Sequence, residues 1–123
     1  MSIHELLELA AKAAGYEFYD ISLYGGVRLY GEGREQTISS DGRPVFYWDP
    51  ITDDGDAFRL AVKLHMSLEM FTGGCEVRFD DMRGGEGFLE QNDGEGDLDD
   101  NALTRLAIVR AAAEMEKATQ EGE

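Results

Sequence analysis

The sequence predicts an α+β fold: an antiparallel sheet with helices packed on one face, in a single domain spanning residues 1–123. Three observations carry this. Apolar residues recur at helical spacing in three separated stretches. Short alternating runs rich in aromatic and β-branched residues lie between them, and glycine-containing turns join consecutive runs as hairpins rather than as the long crossovers a parallel sheet needs. A chain of 123 residues is also long enough to bury a core without a disulfide or metal staple.

The first helix opens on a capping box, Ser2 with Glu5 three residues later. Ile3, Leu6, Leu7, Ala10, Ala13 and Ala14 form its apolar stripe, and Gly15 is the stop. From Tyr16 the pattern turns to strands: Phe18 to Leu23, then Val27 to Tyr30 after Gly25-Gly26, a weaker run around Thr37 and Ile38, and Pro44 to Trp48 after Asp41-Gly42. Their aromatics, Phe18, Tyr19, Tyr24, Tyr30, Phe46, Tyr47 and Trp48, suit a half-buried pleated surface whose outer side meets solvent or a partner.

The stretch WDPITDDGDAFRLAVKL, Trp48 to Leu64, reads as the start of the second helix rather than as a metal loop. Pro50 forces the preceding backbone out of the helical region, Thr52 or Asp53 supplies the cap, and Asp54 and Asp56 place negative charge at the positive end of the helix dipole. Phe58, Leu60, Ala61, Val62 and Leu64 make up its apolar face. Asp53, Asp54 and Asp56 lack the alternation and the distal glutamate of a calcium loop. Beyond it, Met66, Leu68 and Met70 alternate with Ser67, Glu69 and Phe71. Across Thr72-Gly73-Gly74, Cys75, Val77 and Phe79 alternate with Glu76, Arg78 and Asp80, which is a hairpin with one apolar face. A third extended run follows at Gly87 to Gln91. The last helix runs from Ala102 to about Lys117, with Asp99, Asp100 and Asn101 as candidate caps and Leu103, Leu106, Ala107, Val109, Arg110 and Ala113 in its pattern. The second and third helices are expected to cover the sheet, with the first at an edge.

Twenty-six acidic residues against 11 basic ones leave a net charge of -15. Such a chain lacks the cationic footprint that nucleic acid phosphates or an anionic membrane require, so the expected partner is a basic protein surface. The charge is concentrated in the glycine-rich segment 80–100. Asp80, Asp81, Glu86, Glu90, Asp93, Glu95, Asp97, Asp99 and Asp100 there face only Arg83, a local net charge of -8. Asp93, Glu95, Asp97 and Asp99 alternate as calcium ligands do, but Leu98 stands where an EF-hand loop needs glycine and Thr104 where it needs glutamate. The spacing allows weak calcium binding at most and does not support a calcium switch; no dedicated metal site and no cofactor is expected.

Catalytic signatures are sparse. His4 and His65 have no serine or cysteine nucleophile beside them, and Gly84 to Phe88 lacks the lysine and hydroxyl residue of a phosphate loop. Cys75 is the only cysteine, which rules out an internal disulfide and a cysteine zinc knuckle, and its acidic neighbour favours a quiet thiol. The N-terminus has neither the basic start nor the apolar core of a signal peptide, and no window has the length of a membrane span. The expected location is the cytoplasm, with no membrane association.

The words DGRPVFYWDPITDDGDAFRLAVKL and ALTRLAIVRAAAEM resemble a family of small phage and prophage accessory proteins. That family shows an aspartate-glycine turn, an aromatic run into Trp-Asp/Asn-Pro, a DDGDA-type helix entry, a hairpin and a closing RAIVRAAAE-like helix; the NinX-like phage proteins show a more distant version. The match covers Asp41 to Phe79 and Ala102 to Met115. Tyr16 to Tyr30 and Asp80 to Asp100 depart from the pattern. The resemblance implies a phage-related origin in a bacterial host cell but no mechanism.

Joined to the acidity, this leads to the expectation of a non-enzymatic inhibitor. It would bind a basic surface of a bacterial nucleic-acid-handling defence complex, a CRISPR effector being the candidate class, and mimic nucleic acid. The expected contact residues are Asp80, Asp81, Glu86, Glu90, Asp93, Glu95, Asp97 and Asp99, with Tyr24, Tyr30 and Phe88 as aromatic anchors. The alternatives are an accessory protein of structural role and a metal-dependent enzyme using the Asp93 to Asp100 carboxylates with His4 or His65. An aromatic strand edge also makes a homodimer an expectation to test.

Overall fold

The computed structural model describes residues 2–23, 25–31, 33–71, 74–79, 86–91 and 99–121. Helix α1 (Ile3–Ala13) starts where expected, the Ser2 hydroxyl accepting from the Glu5 amide at 3.1 Å. Its end is a Schellman motif: the Tyr16 amide donates to the Ala11 carbonyl and the Gly15 amide to Lys12, with Gly15 at φ +79. Helix α2 (Asp54–Lys63) closes the same way, through Met66 to Ala61 and His65 to Val62. Here the left-handed position holds His65, at φ 54. A side chain in that region is strained, so His65→Gly should raise stability by about 0.5–1 kcal/mol, partly offset by the freer unfolded chain. Chemical denaturation measures this, and a lower midpoint would contradict the motif.

The strands are antiparallel, as the α+β class requires, but they form two sheets where one was expected. In the first, β1 (Glu17–Ile21), β2 (Val27–Tyr30), β3 (Arg34–Ile38) and β4 (Pro44–Trp48) lie in the order β1-β2-β4-β3. Both β2 and β3 are antiparallel to β4, so they run parallel to each other with β4 inserted between them. The chain therefore passes from one side of β4 to the other between Tyr30 and Arg34. Gly33, at φ +119, makes the crossing close: a Cβ there would lie 2.4 Å from the Tyr47 carbonyl oxygen. In the second sheet β5 (Ser67–Phe71), β6 (Gly74–Phe79) and β7 (Glu86–Gln91) pair in sequence order.

Helix α3 (Asp100–Glu121) extends at both ends beyond the stretch predicted from the sequence. It is the centre of the molecule, packing on α1, on α2 and on β6 and β7. Helix α1 is consequently not an edge element, because it lies against α3 as well as β1 and β2. Ala10 and Ala11 of α1, Ala14 at its C-cap, and Ala107, Ala111 and Ala112 of α3 are all buried, and their small side chains permit close helix approach. One apolar cluster joins these alanines to Leu7, Val27, Leu29, Trp48, Leu60 and Val77.

Two apolar faces are narrower than their sequences suggest. On α2 the buried residues are Ala57, Leu60 and Ala61, whereas Phe58 and Val62 are 65% and 56% exposed. On α1 Ile3 is exposed and Ala11 is buried. In both cases a single stripe faces the core, and apolar residues one position off it turn outward. Cys75 is completely buried.

Candidate interaction surface

The core-facing side of the first sheet carries Val27, Leu29 and Trp48, so strand alternation sends Arg28, Tyr30 and Tyr47 to the other side. There they meet Tyr19 of β1, Arg34 of β3 and Arg43 from the turn before β4. Each arginine lies over a tyrosine ring: Arg28 over Tyr19 and Arg34 over Tyr47, both at 5.1 Å, and Arg43 over Tyr30 at 3.7 Å. Tyr19 and Tyr30 stack edge to face with centroids 5.2 Å apart. Beneath them Val45 is fully buried, which makes the face a small packed layer rather than a set of independent side chains.

The charges on this face are matched locally. Arg28 pairs with Asp20, Arg43 with Asp41 at 3.0 Å and Glu17 at 3.6 Å, and Arg34 with Asp56 at 2.9 Å. Ordered tyrosines flanked by arginines are the residue types that anchor protein interfaces. In an acidic molecule this face offers stacking and hydrogen bonding with little net charge.

Asp56 is the polar centre behind the face. It is wholly inaccessible and collects the Asp49 amide at 2.9 Å, the Arg34 guanidinium and, at 2.7 Å, the Arg59 guanidinium. Burial pushes its carboxyl pKa up, but hydrogen bonds from Arg34, the Asp49 amide and Arg59 outweigh that and hold it below the usual carboxylate range. Asp53 caps α2 by accepting from the Asp56 amide at 2.8 Å. Asp49 accepts from the Ile51 amide at 3.1 Å and the Tyr47 hydroxyl at 3.3 Å. Burial, reinforced by the Asp49 charge, pushes the Tyr47 phenol above its ordinary pKa. The acidic word between Trp48 and Leu64 is thus a helix start, as its sequence implies. Its last aspartate is more than a dipole partner: it ties β3, β4 and α2 together.

Among the contact residues expected from sequence, Tyr30 lies in the tyrosine layer. Asp99 accepts from the Ala102 amide at 2.7 Å and caps α3. Tyr24, Asp80, Asp81, Asp93, Glu95 and Asp97 lie outside the described residues. Glu86, Phe88 and Glu90 belong to β7, but their side chains lie outside the description. Sequence reasoning passed over Arg28, Arg34 and Arg43 and gave Asp56 only a place at the helix dipole. Alternation in VRLY and PVFYW marks Arg28, Tyr30 and Tyr47 as one face. No local signal brings Arg34 to Asp56.

A cleft of about 220 Å3 opens between α2, β5 and α3, lined by Ala57, Phe58, Leu68, Met70, Thr104 and Ile108 among others. Arg105 closes one side, its guanidinium bound to the Ile51 carbonyl at 2.7 Å and to Asp54 at 2.5 Å. On β6, burial pushes the Cys75 thiol pKa up against a hydrogen bond from Thr104. His4 lies 3.2 Å from the Gly25 carbonyl, and no group of three or more metal-ligating side chains occurs among the described residues. No helix among them is long and apolar enough to cross a membrane. No known family model, curated protein or solved structure matches this chain.

Proposed function

We propose that this protein is a phage- or prophage-encoded interaction protein that binds a basic surface of a bacterial nucleic-acid-handling complex and inhibits it, a CRISPR effector being the candidate class. The observation carrying this reading is how the chain uses its few cations. Arg28, Arg34, Arg43, Arg59, Arg78 and Arg105 each pair with a carboxylate inside the chain, and Lys12 and Lys117 pair along their helices. With these eight of the 11 basic residues matched to carboxylates of the chain itself, little positive charge is left to offset a net charge of -15. A surface of that sign steers association with cationic grooves and competes with nucleic acid for them. The tyrosine and arginine layer supplies the short-range contacts that charge alone does not provide.

The test is affinity purification of a partner from the bacterial host, followed by competition between this protein and DNA for that partner over a salt series. Affinity should fall at least about tenfold between about 50 and about 200 mM salt. Asp93→Asn, Glu95→Gln, Asp97→Asn and Asp99→Asn together should lower the association rate more than they raise dissociation. Asparagine at position 99 preserves the α3 cap, so a loss of helix does not confound the result. Tyr30→Ala should act chiefly on dissociation. An unchanged salt slope in the neutralised variant, or binding that leaves DNA undisplaced, would overturn the nucleic-acid-mimic reading and leave a structural accessory role.

A further inference from the structure

We infer that the free edge of β5 takes up an extended segment of a cationic partner as an added strand, with an apolar side chain in the cleft and a basic one opposite Glu69. This deepens the reading of an acidic interaction protein and rests on it. Strand β5 pairs with β6 alone among the described residues, so one side of its backbone has no strand partner. Its register from Ser67↔Arg78 to Phe71↔Gly74 is unshifted. The edge strands of the first sheet are each interrupted, between Phe18 and Asp20 in β1 and between Arg34 and Thr37 in β3, where Glu35 also takes φ 50. Bulges of this kind blunt an edge against pairing, and β5 has none.

The two faces of β5 say what the added strand must carry. Met70 stands opposite Cys75 and Leu68 opposite Val77, on the side that packs toward α3. Cys75 and Val77 are fully buried, yet Met70 is 67% exposed. Met70 therefore occupies a core-facing position that nothing among the described residues covers, and it borders the cleft together with the exposed Phe58. An apolar side chain from a neighbouring strand would fill that space.

On the opposite side Glu69 stands directly across from Glu76, an unfavourable like-charge pair. Arg78 donates to Glu76 at 2.5 Å, and Glu69 has no ion pair among the described residues. A lysine or arginine on an added strand would face Glu69 and relieve the repulsion. The fitting segment alternates apolar and basic residues, and main-chain hydrogen bonds to β5 would supply the shared part of its affinity.

The probe is a blocked hexapeptide alternating leucine and lysine, together with two versions N-methylated on opposite sets of alternate residues. Binding should shift the backbone resonances of Ser67 to Phe71 and slow their hydrogen exchange. One N-methylation set should abolish binding and the other should leave it nearly intact, because only one set faces β5. Met70→Asp should weaken binding at least about tenfold and Glu69→Lys about fivefold. Both positions are exposed, so native spectra should persist. A leucine and glutamate peptide should not bind. Equal affinity for the two methylated peptides, resonance shifts confined to other elements, or no binding at millimolar peptide would overturn strand addition. So would a wild-type homodimer that Met70→Asp dissolves, which would identify a second copy as the occupant. Salt-sensitive competition with DNA that survives in Met70→Asp and Glu69→Lys would refute this edge while leaving the proposed function standing. Peptide binding without DNA competition would do the reverse.

Discussion

Gly33→Ala is expected to destabilise the protein by at least about 3 kcal/mol, seen as a loss of roughly 10 °C or more in the thermal midpoint. Two effects act together at this position. The backbone is at φ +119, and a Cβ would lie 2.4 Å from the Tyr47 oxygen and 3.0 Å from the Phe46 Cβ. Neither the carbonyl nor the β4 backbone can move aside without breaking the pairing that holds β2 and β3 to β4. Two other glycines separate the effects. Gly42, at φ +85 with nothing within 4 Å, carries only the conformational demand, so Gly42→Ala should cost about 1 kcal/mol. Gly26 has no positive φ, but a Cβ there would lie 2.4 Å from the Trp48 carbonyl oxygen, so Gly26→Ala reports the contact alone. Circular dichroism melts of the three variants should place Gly33→Ala lowest. If it melts with Gly42→Ala, the chain does not pass over β4 where the structure places it.

Asp56→Ala should cost about 2–4 kcal/mol, because it strips the buried Asp49 amide of its acceptor and removes the shared anion of Arg34 and Arg59. The arginines limit the damage: both reach solvent and rehydrate, whereas the Asp49 amide cannot. Asp56→Asn should be comparably harmful, since its amide turns a donor toward other donors. The effect depends on pH in a definite direction. The folded pKa of Asp56 is depressed, so its stabilising contribution is complete above the unfolded value of about 3.9 and disappears as pH falls through the lower folded value. The stability gap between wild type and Asp56→Asn should therefore be constant near neutrality and shrink below about pH 4. Asp41, exposed and held down chiefly by the Ser39 hydroxyl and also by Arg43, titrates in the same direction in both proteins and drops out of the difference. A gap that persists unchanged into strong acid would show that the charge of Asp56 does not carry the interaction. Arg34→Met in a double-mutant cycle with Asp56→Asn isolates the β3 to α2 link.

What a few adjacent residues can specify was legible in the chain. Ser2, Asp53 and Asp99 cap their helices, Gly15 ends the first, and Pro44 to Trp48 is a strand at the bounds its alternation implies. Each of these depends on hydrogen bonds or side-chain spacing within about one turn or one hairpin. The α+β class followed, because short turns between strands restrict them to antiparallel pairing. Part of the tyrosine and arginine face was also visible, with Tyr30 and Tyr47 on one side of their strands.

The same rules carry no information about which edge a strand chooses or which neighbour covers it. Weak alternation in Arg34 to Ile38 gave no sign that this strand would pass across β4 and leave β4 in the middle. Two sheets formed where one was expected because α3 takes a central place and packs on the second sheet while α1 covers the first. Asp56 looked like one more acidic residue at a helix start. It became the buried partner of an arginine 22 positions earlier only when β3 returned beside α2. Phe58 and Met70 looked like core residues, and both are exposed at the cleft between α2, β5 and α3. Burial and charge pairing are properties of surfaces brought together by chain closure, and their energies are set by contacts far apart in sequence, beyond the reach of local periodicity.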